Sequence, residues 1–111
     1  MPEQASETPV LDLIAGMTAG SAAASSLDAE TLMLVRIAAL VAMDAPTVAY
    51  ALNLGAAAEL DLDPEQVRGV LAAIAPIVGT ARVASATGKI AEALAIAIET
   101  IELEAAAERQ A

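Results

Sequence analysis

The side chains with the widest chemical reach in the middle of this chain are Arg36, Asp44, Tyr50, Asn53, Arg82 and Lys89. Arg36 or Arg82 can hold a carboxylate through the fork of a guanidinium. Asp44 or Tyr50 can move a proton if a cleft shifts its pKa towards neutral. Asn53 offers a donor and an acceptor on one amide. Lys89 is the only lysine, so Schiff-base chemistry would fall to it. Together they would suit a cofactor-free lyase or isomerase acting on a small carboxylate. Asp44, at a helix junction, is the best proton carrier, and no second acid stands plainly beside it.

Each of these residues also has a plainer role. Arg36 has no acidic residue three or four positions away, so it either reaches solvent or ties helices or subunits together. A lone tyrosine usually packs its ring and keeps its hydroxyl wet. Asn53 can simply satisfy a buried polar contact. Lys89 stands three residues before Glu92, the spacing of a weak surface ion pair on a helix.

The rest of the chemical inventory is narrow. The chain has no cysteine and no histidine. Thiolate, disulfide and imidazole chemistry are therefore excluded, and so is a metal site built on His or Cys. The acids lie mainly at helix starts and along the C-terminal segment, so no carboxylate metal site is expected. Glycine-rich phosphate loops and a Gly-x-Ser-x-Gly elbow are missing, and no bound cofactor is expected.

The elements that must position these groups are helices. Val10, Leu13, Ile14 and Met17 share one helical face in a segment from Pro9 to about Gly20, and Gly20 to Ser26 reads as a connection. Asp28 and Glu30 start a second helix that runs to Met43 and is apolar all round, which predicts burial on most sides. Asp44-Ala45-Pro46 is a break and restart. A third helix reaches about Leu60, with Val48, Leu52 and Ala56 along one side. Asp63 is the expected N-cap of a fourth helix and Pro64 its first residue. Val67, Val70, Leu71, Ile74 and Ile77 mark its apolar face, and Pro76 and Gly79 bring it to a close. The last segment, Thr80 to Arg109, carries a main face of Ile90, Leu94, Ile98 and Ile101, with Ile96 and Leu103 off it. Residues 1–8 are polar and expected to be loose, and 9–109 form one helical domain.

The stretch from Leu27 through Arg36 to Leu40, the helix to Leu60, the run Leu62-Asp63-Pro64-Glu65-Gln66-Val67 and the later Ala75-Pro76-Ile77-Val78-Gly79-Thr80-Ala81-Arg82-Val83 resemble the carboxymuconolactone decarboxylase and alkylhydroperoxidase D-like family. The order and spacing of the helix starts carry the resemblance, over residues 27–95. It implies an all-α bundle of about five to six helices that assembles as trimers or hexamers. Redox members of that family carry Cys-x-x-Cys-x-x-x-His on the third helix. Those positions fall on Pro46, Ala49 and Asn53, and the family's upstream glutamate falls near Leu34. None is kept, so peroxide attack by a thiolate is lost. An asparagine at 53 cannot shuttle protons near neutral pH.

The expected partner is the chain itself. It is 58% apolar with one aromatic residue, so alanine and the branched aliphatics do nearly all the packing, and apolar surface is left over for other subunits. A net charge of −10 with five scattered basic residues argues against nucleic acid and anionic membranes. The uncharged runs Leu13 to Leu27 and Ala45 to Ala58 fall short of the roughly 20 residues of a spanning helix. The acidic start is unlike a signal peptide, which predicts a cytoplasmic protein. Three functions fit: a non-peroxidase member of this family with a small-molecule pocket, the lyase or isomerase above, or a structural module assembled through its helices.

Overall fold

A computed structural model describes residues 6–110, with the side chains of residues 96–101 and 110 left outside that description. Within it the chain is all-helical. Five helices follow one another: α1 (Pro9–Ala24), α2 (Ala29–Ala42), α3 (Thr47–Glu59), α4 (Pro64–Val78) and α5 (Thr80–Gln110). Of the N-terminal segment expected to be loose, residues 1–5 lie outside the described residues. At the start of α1 the Thr8 hydroxyl donates to Asp12 Oδ1 at 3.2 Å.

Local chemistry sets the breaks. Asp28 caps α2 by accepting from the Thr31 N–H at 2.8 Å. Asp63 and Gln66 close a reciprocal capping box on α4, with Pro64 in the first turn. Helices α2 and α3 both end in Schellman motifs. Ala45 N–H returns to Leu40 O and Asp44 N–H to Val41 O; Leu62 N–H returns to Ala57 O and Asp61 N–H to Ala58 O. Such a motif needs one left-handed residue, and aspartates supply it: Asp44 at φ 52° and Asp61 at φ 59°. Between α4 and α5 the turn is made by Gly79 at φ 88°, ψ 163°, a conformation open almost only to glycine.

Several boundaries and faces differ from the sequence expectations. Helix α1 runs on to Ala24, because Ala22, Ala23 and Ala24 are strong helix formers that outweigh Gly20. Pro46 is the N-cap of α3, one position before the first turn. Pro76 lies inside α4, which continues to Val78, so Gly79 alone ends it. Ile77 is 86% exposed and falls off the α4 face it was expected to share. Helix α2 is covered except along one side: Met33, Ile37 and Val41 are buried and their neighbours half-buried, whereas Val35, Ala39 and Ala42 face solvent. On α3 the side bearing Val48, Leu52 and Ala56 points outward, and the core takes Tyr50 and Ala57. On α5, Ile90 is buried, Leu94 is partly exposed and Leu103 is exposed; the expectations for Ile96, Ile98 and Ile101 fall outside the described side chains.

The core sits where α3 crosses α5. Val41, Ala45, Tyr50, Ala86, Ile90 and Ala93 form one buried cluster, flanked by Leu40, Leu54, Val67, Leu71 and Ile74. Alanine at 45, 86 and 93 lets the backbones of α2, α3 and α5 come close, and the Tyr50 ring supplies the single large side chain. Helix α4 covers α2 on the other side. Helix α1 contributes no buried residue. The radius of gyration is 16.3 Å, against about 13 Å for a compact chain of this length.

Candidate functional site

The densest polar constellation lies where the C-terminus of α2 meets α5. Residues 82, 85 and 89 share one face of α5, spaced three and four apart. Arg82 donates from Nη1 to Ala42 O, the last carbonyl of α2. Ser85 Oγ donates to Asp44 Oδ1 at 2.8 Å. Lys89 Nζ donates to the same Oδ1 at 3.0 Å and to Ala45 O at 2.9 Å. Two cations therefore meet the negative end of the α2 dipole, and the carbonyls that the helix leaves open find donors. The expected Lys89–Glu92 pair is not formed. Lys89 reaches across to Asp44 because α5 packs directly over the α2–α3 junction, where a carboxylate and two free carbonyls converge.

This environment decides what Asp44 can do. The Ser85 hydroxyl, then the Lys89 ammonium, hold its carboxyl below the usual carboxylate range, with Arg82 adding to the effect. A general acid–base at neutral pH needs the opposite shift. Asp44 is also on the surface, not in a cleft. Lys89 Nζ is taken up by the Asp44 carboxylate and the Ala45 carbonyl and, among the described residues, borders no cleft that could hold a carbonyl substrate. The cluster's arrangement suits a latch that pins a strained turn to α5.

Tyr50 sits beneath this latch and is fully buried. Its hydroxyl has no hydrogen-bond partner, contrary to the expectation that it would be wet. Burial, and then the negative charge of Asp44, raise the phenol above its ordinary pKa. It stays neutral across the physiological range and cannot serve as a base there.

The other two candidates lie elsewhere. Asn53 donates from Nδ2 to Ala49 O at 2.9 Å, one turn back on its own helix. Positions 49 and 53 are thus joined by a side-chain-to-backbone bond, and Pro46 caps the same helix. Arg36 donates from Nη2 to Thr18 O at 3.1 Å, tying α1 to α2. The structure brings Asp44 and Tyr50 near each other, keeps Asn53 one helical turn after Tyr50 on α3, and engages Arg36 with α1. Ser85 was missed by sequence reasoning; the three-four spacing of Arg82, Ser85 and Lys89 was the available signal.

A separate concavity of about 320 Å³ opens between α3, α4 and α5. Leu54, Ala57, Leu62, Val67, Leu71 and Ile90 line it, with Arg68 and Thr87 among its few polar neighbours. Arg68 is exposed and paired to Glu65 at 2.6 Å. None of Arg36, Asp44, Tyr50 or Asn53 borders it. No cluster of three or more acids that could hold a metal occurs among the described residues. No helix among them is long and apolar enough to cross a membrane.

Comparison with protein families, with curated proteins and with solved structures gives no match to this chain.

Proposed function

We propose that this chain is a non-peroxidase protein on a carboxymuconolactone decarboxylase-like scaffold, acting in the cytoplasm as a homo-oligomer of three or six subunits. Its accessible surface carries the reading. The chain exposes 7760 Å². A compact folded chain of 11.1 kDa exposes about 5,700 Å² by the scaling of area with mass. Large apolar side chains stand exposed on α1, α2 and α3, and such surface in a folded protein is normally covered. The resemblance supplies the subunit number and the family; the composition supplies the loss of redox chemistry.

The lyase or isomerase reading is the weaker one. Asp44 has its pKa shifted away from neutrality, and Arg36 is engaged by a backbone carbonyl. The apolar concavity favours, as ligand, a small molecule that is mostly hydrocarbon, not a compact polyanion.

Sedimentation velocity with light scattering tests the assembly. The expected mass is three or six times 11.1 kDa. A monomer at micromolar concentration overturns it. A peroxide-consumption assay should stay at background, and turnover above it would overturn the non-peroxidase part.

A further inference from the structure

We propose that the hollow between α3, α4 and α5 is a binding site for a neutral alcohol or phenol with a hydrocarbon body of about a dozen non-hydrogen atoms. The proposal rests on the reading above that a mostly hydrocarbon molecule enters this concavity, and it adds the size, charge and polar handle of that molecule.

The hollow follows from small side chains. Leu54, Leu71 and Ile90 close its inner end, where Ala57 is buried as well. Further out its walls are Ala58 on α3 and Ala91 on α5, both exposed. Two methyl groups stand where longer side chains would meet, and the three helices leave about 320 Å³ between them. Water gains few partners in such a space, whereas a hydrocarbon sheds its own contact with water by entering it. A cavity of about 150 Å³ with aliphatic and aromatic walls takes benzene, so this one has room for roughly twice as many atoms.

The rim sets the charge of the occupant. Its polar side chains are Asp63, Arg68 and Thr87, all exposed. Asp63 accepts from the Gln66 N–H at 3.0 Å as the cap of α4. Arg68 is paired to Glu65 at 2.6 Å. An anionic head would meet two carboxylates and a guanidinium already in use, on a chain whose net charge is −10. A cationic head would lose hydration beside carboxylates that already hold other donors. A neutral head meets neither penalty.

Thr87 supplies the polar handle. Its hydroxyl donates to Val83 O at 2.9 Å, one turn back on α5. With that hydrogen engaged, the oxygen is left to accept. It therefore selects a molecule that brings its own O–H donor. Because Thr87 is exposed at the rim, the ligand hydroxyl stays at the mouth and the hydrocarbon lies inward against Leu54 and Ile90.

The test uses the full chain and N-phenylnaphthylamine, a neutral probe that brightens on leaving water. The chain has no tryptophan, so the signal is read without protein background. Fluorescence should rise saturably, with half-saturation below about 100 µM. Ala58→Phe and Ala91→Phe each put a ring into the hollow and should weaken binding at least about tenfold. Ala56→Phe adds the same ring on the exposed side of α3, outside the hollow, and should change nothing. Circular dichroism confirms that all three variants fold. Decanol, its methyl ether and decanoate then compete for the probe. Decanol should displace it at about one third the concentration of the ether, which has no donor. Decanoate should need at least about ten times as much as decanol. Thr87→Val should erase the preference for decanol over the ether and keep that over decanoate. A wild-type chain that leaves the probe dark, or binding that Ala58→Phe and Ala91→Phe do not weaken, would overturn the proposal and the hydrocarbon-ligand reading together. Binding lost in those two variants, with the ether or decanoate competing as well as decanol, would overturn the proposal alone.

Discussion

Removing one oxygen from the core should make this protein more stable. The Tyr50 ring is fully buried in the Val41–Ala45–Ile90 cluster, and its hydroxyl has no partner. A buried polar group without a hydrogen bond costs about 1–3 kcal/mol relative to one that is paired or solvated. Tyr50→Phe deletes that group and keeps the ring that fills the space. The expected gain is about 1 kcal/mol, after allowing for the small void left by the oxygen. For a domain of this size, that raises Tm by about 4–5 °C. Tyr50→Ala is the opposite control: it removes the one large side chain of the cluster and should cost about 3–5 kcal/mol. Thermal unfolding followed by circular dichroism, at a fixed protein concentration because self-association would shift Tm, measures both. A Tyr50→Phe protein destabilised by more than about 1 kcal/mol would refute the reasoning, since the hydroxyl would then be making a favourable bond in the folded protein.

Further outcomes follow from the same geometry. Because Tyr50 is the only tyrosine, its phenolate absorbance reports one site. The folded-state pKa is raised above 10.0, so its contribution to stability is present below pH 10 and lost as pH rises beyond it, and phenolate should appear only together with alkaline unfolding. Asp44 has the reverse sign: its folded pKa is lowered from 3.8, so its contribution is present above that value and lost as pH falls through the lowered one. Asp44→Asn keeps a residue tolerant of positive φ, and should lower Tm at neutral pH and flatten the acid limb of stability against pH; an unchanged acid limb would remove the latch from the account. Gly79→Ala meets no atom within 4 Å, yet it should cost about 1–3 kcal/mol through its φ of 88°, whereas Gly69→Ala, in open space within α4, should be neutral or stabilising by up to about 1 kcal/mol. Urea melts of the two would settle that contrast; equal effects would mean that the turn relaxes freely.

How much was legible in the residues depends on the range of the interaction. The breaks at Asp28, Asp44–Pro46 and Asp61–Pro64 could be read directly, because a cap, a left-handed turn and a proline act within three or four positions. The last segment reads as long and without strand-like alternation, but that Thr80–Gln110 is a single helix through Thr87 and Gly88 was decided by its packing. The inward side of each helix was not legible either. Val48 and Leu52 are as apolar as Leu54, and Ile77 as apolar as Ile74. Composition this rich in alanine and aliphatics leaves each helix with several sides that could face the core, so the contrast that normally marks the inner face is faint.

The candidate site shows the same division. Composition alone excluded thiol and imidazole chemistry, because it follows from residue types that are simply missing. Lys89 was read with Glu92, since sequence reveals neighbours on one helix, and tertiary structure gave it Asp44, 45 residues away. The packing of α5 over the α2–α3 junction likewise set the direction of the Asp44 shift and sealed the Tyr50 hydroxyl from water. Residue identity decided which reactions this chain has no groups for. Which groups face each other, and with what proton affinity, was decided by helices far apart in sequence closing on one another, because pKa and hydrogen bonding depend on distance and burial in space.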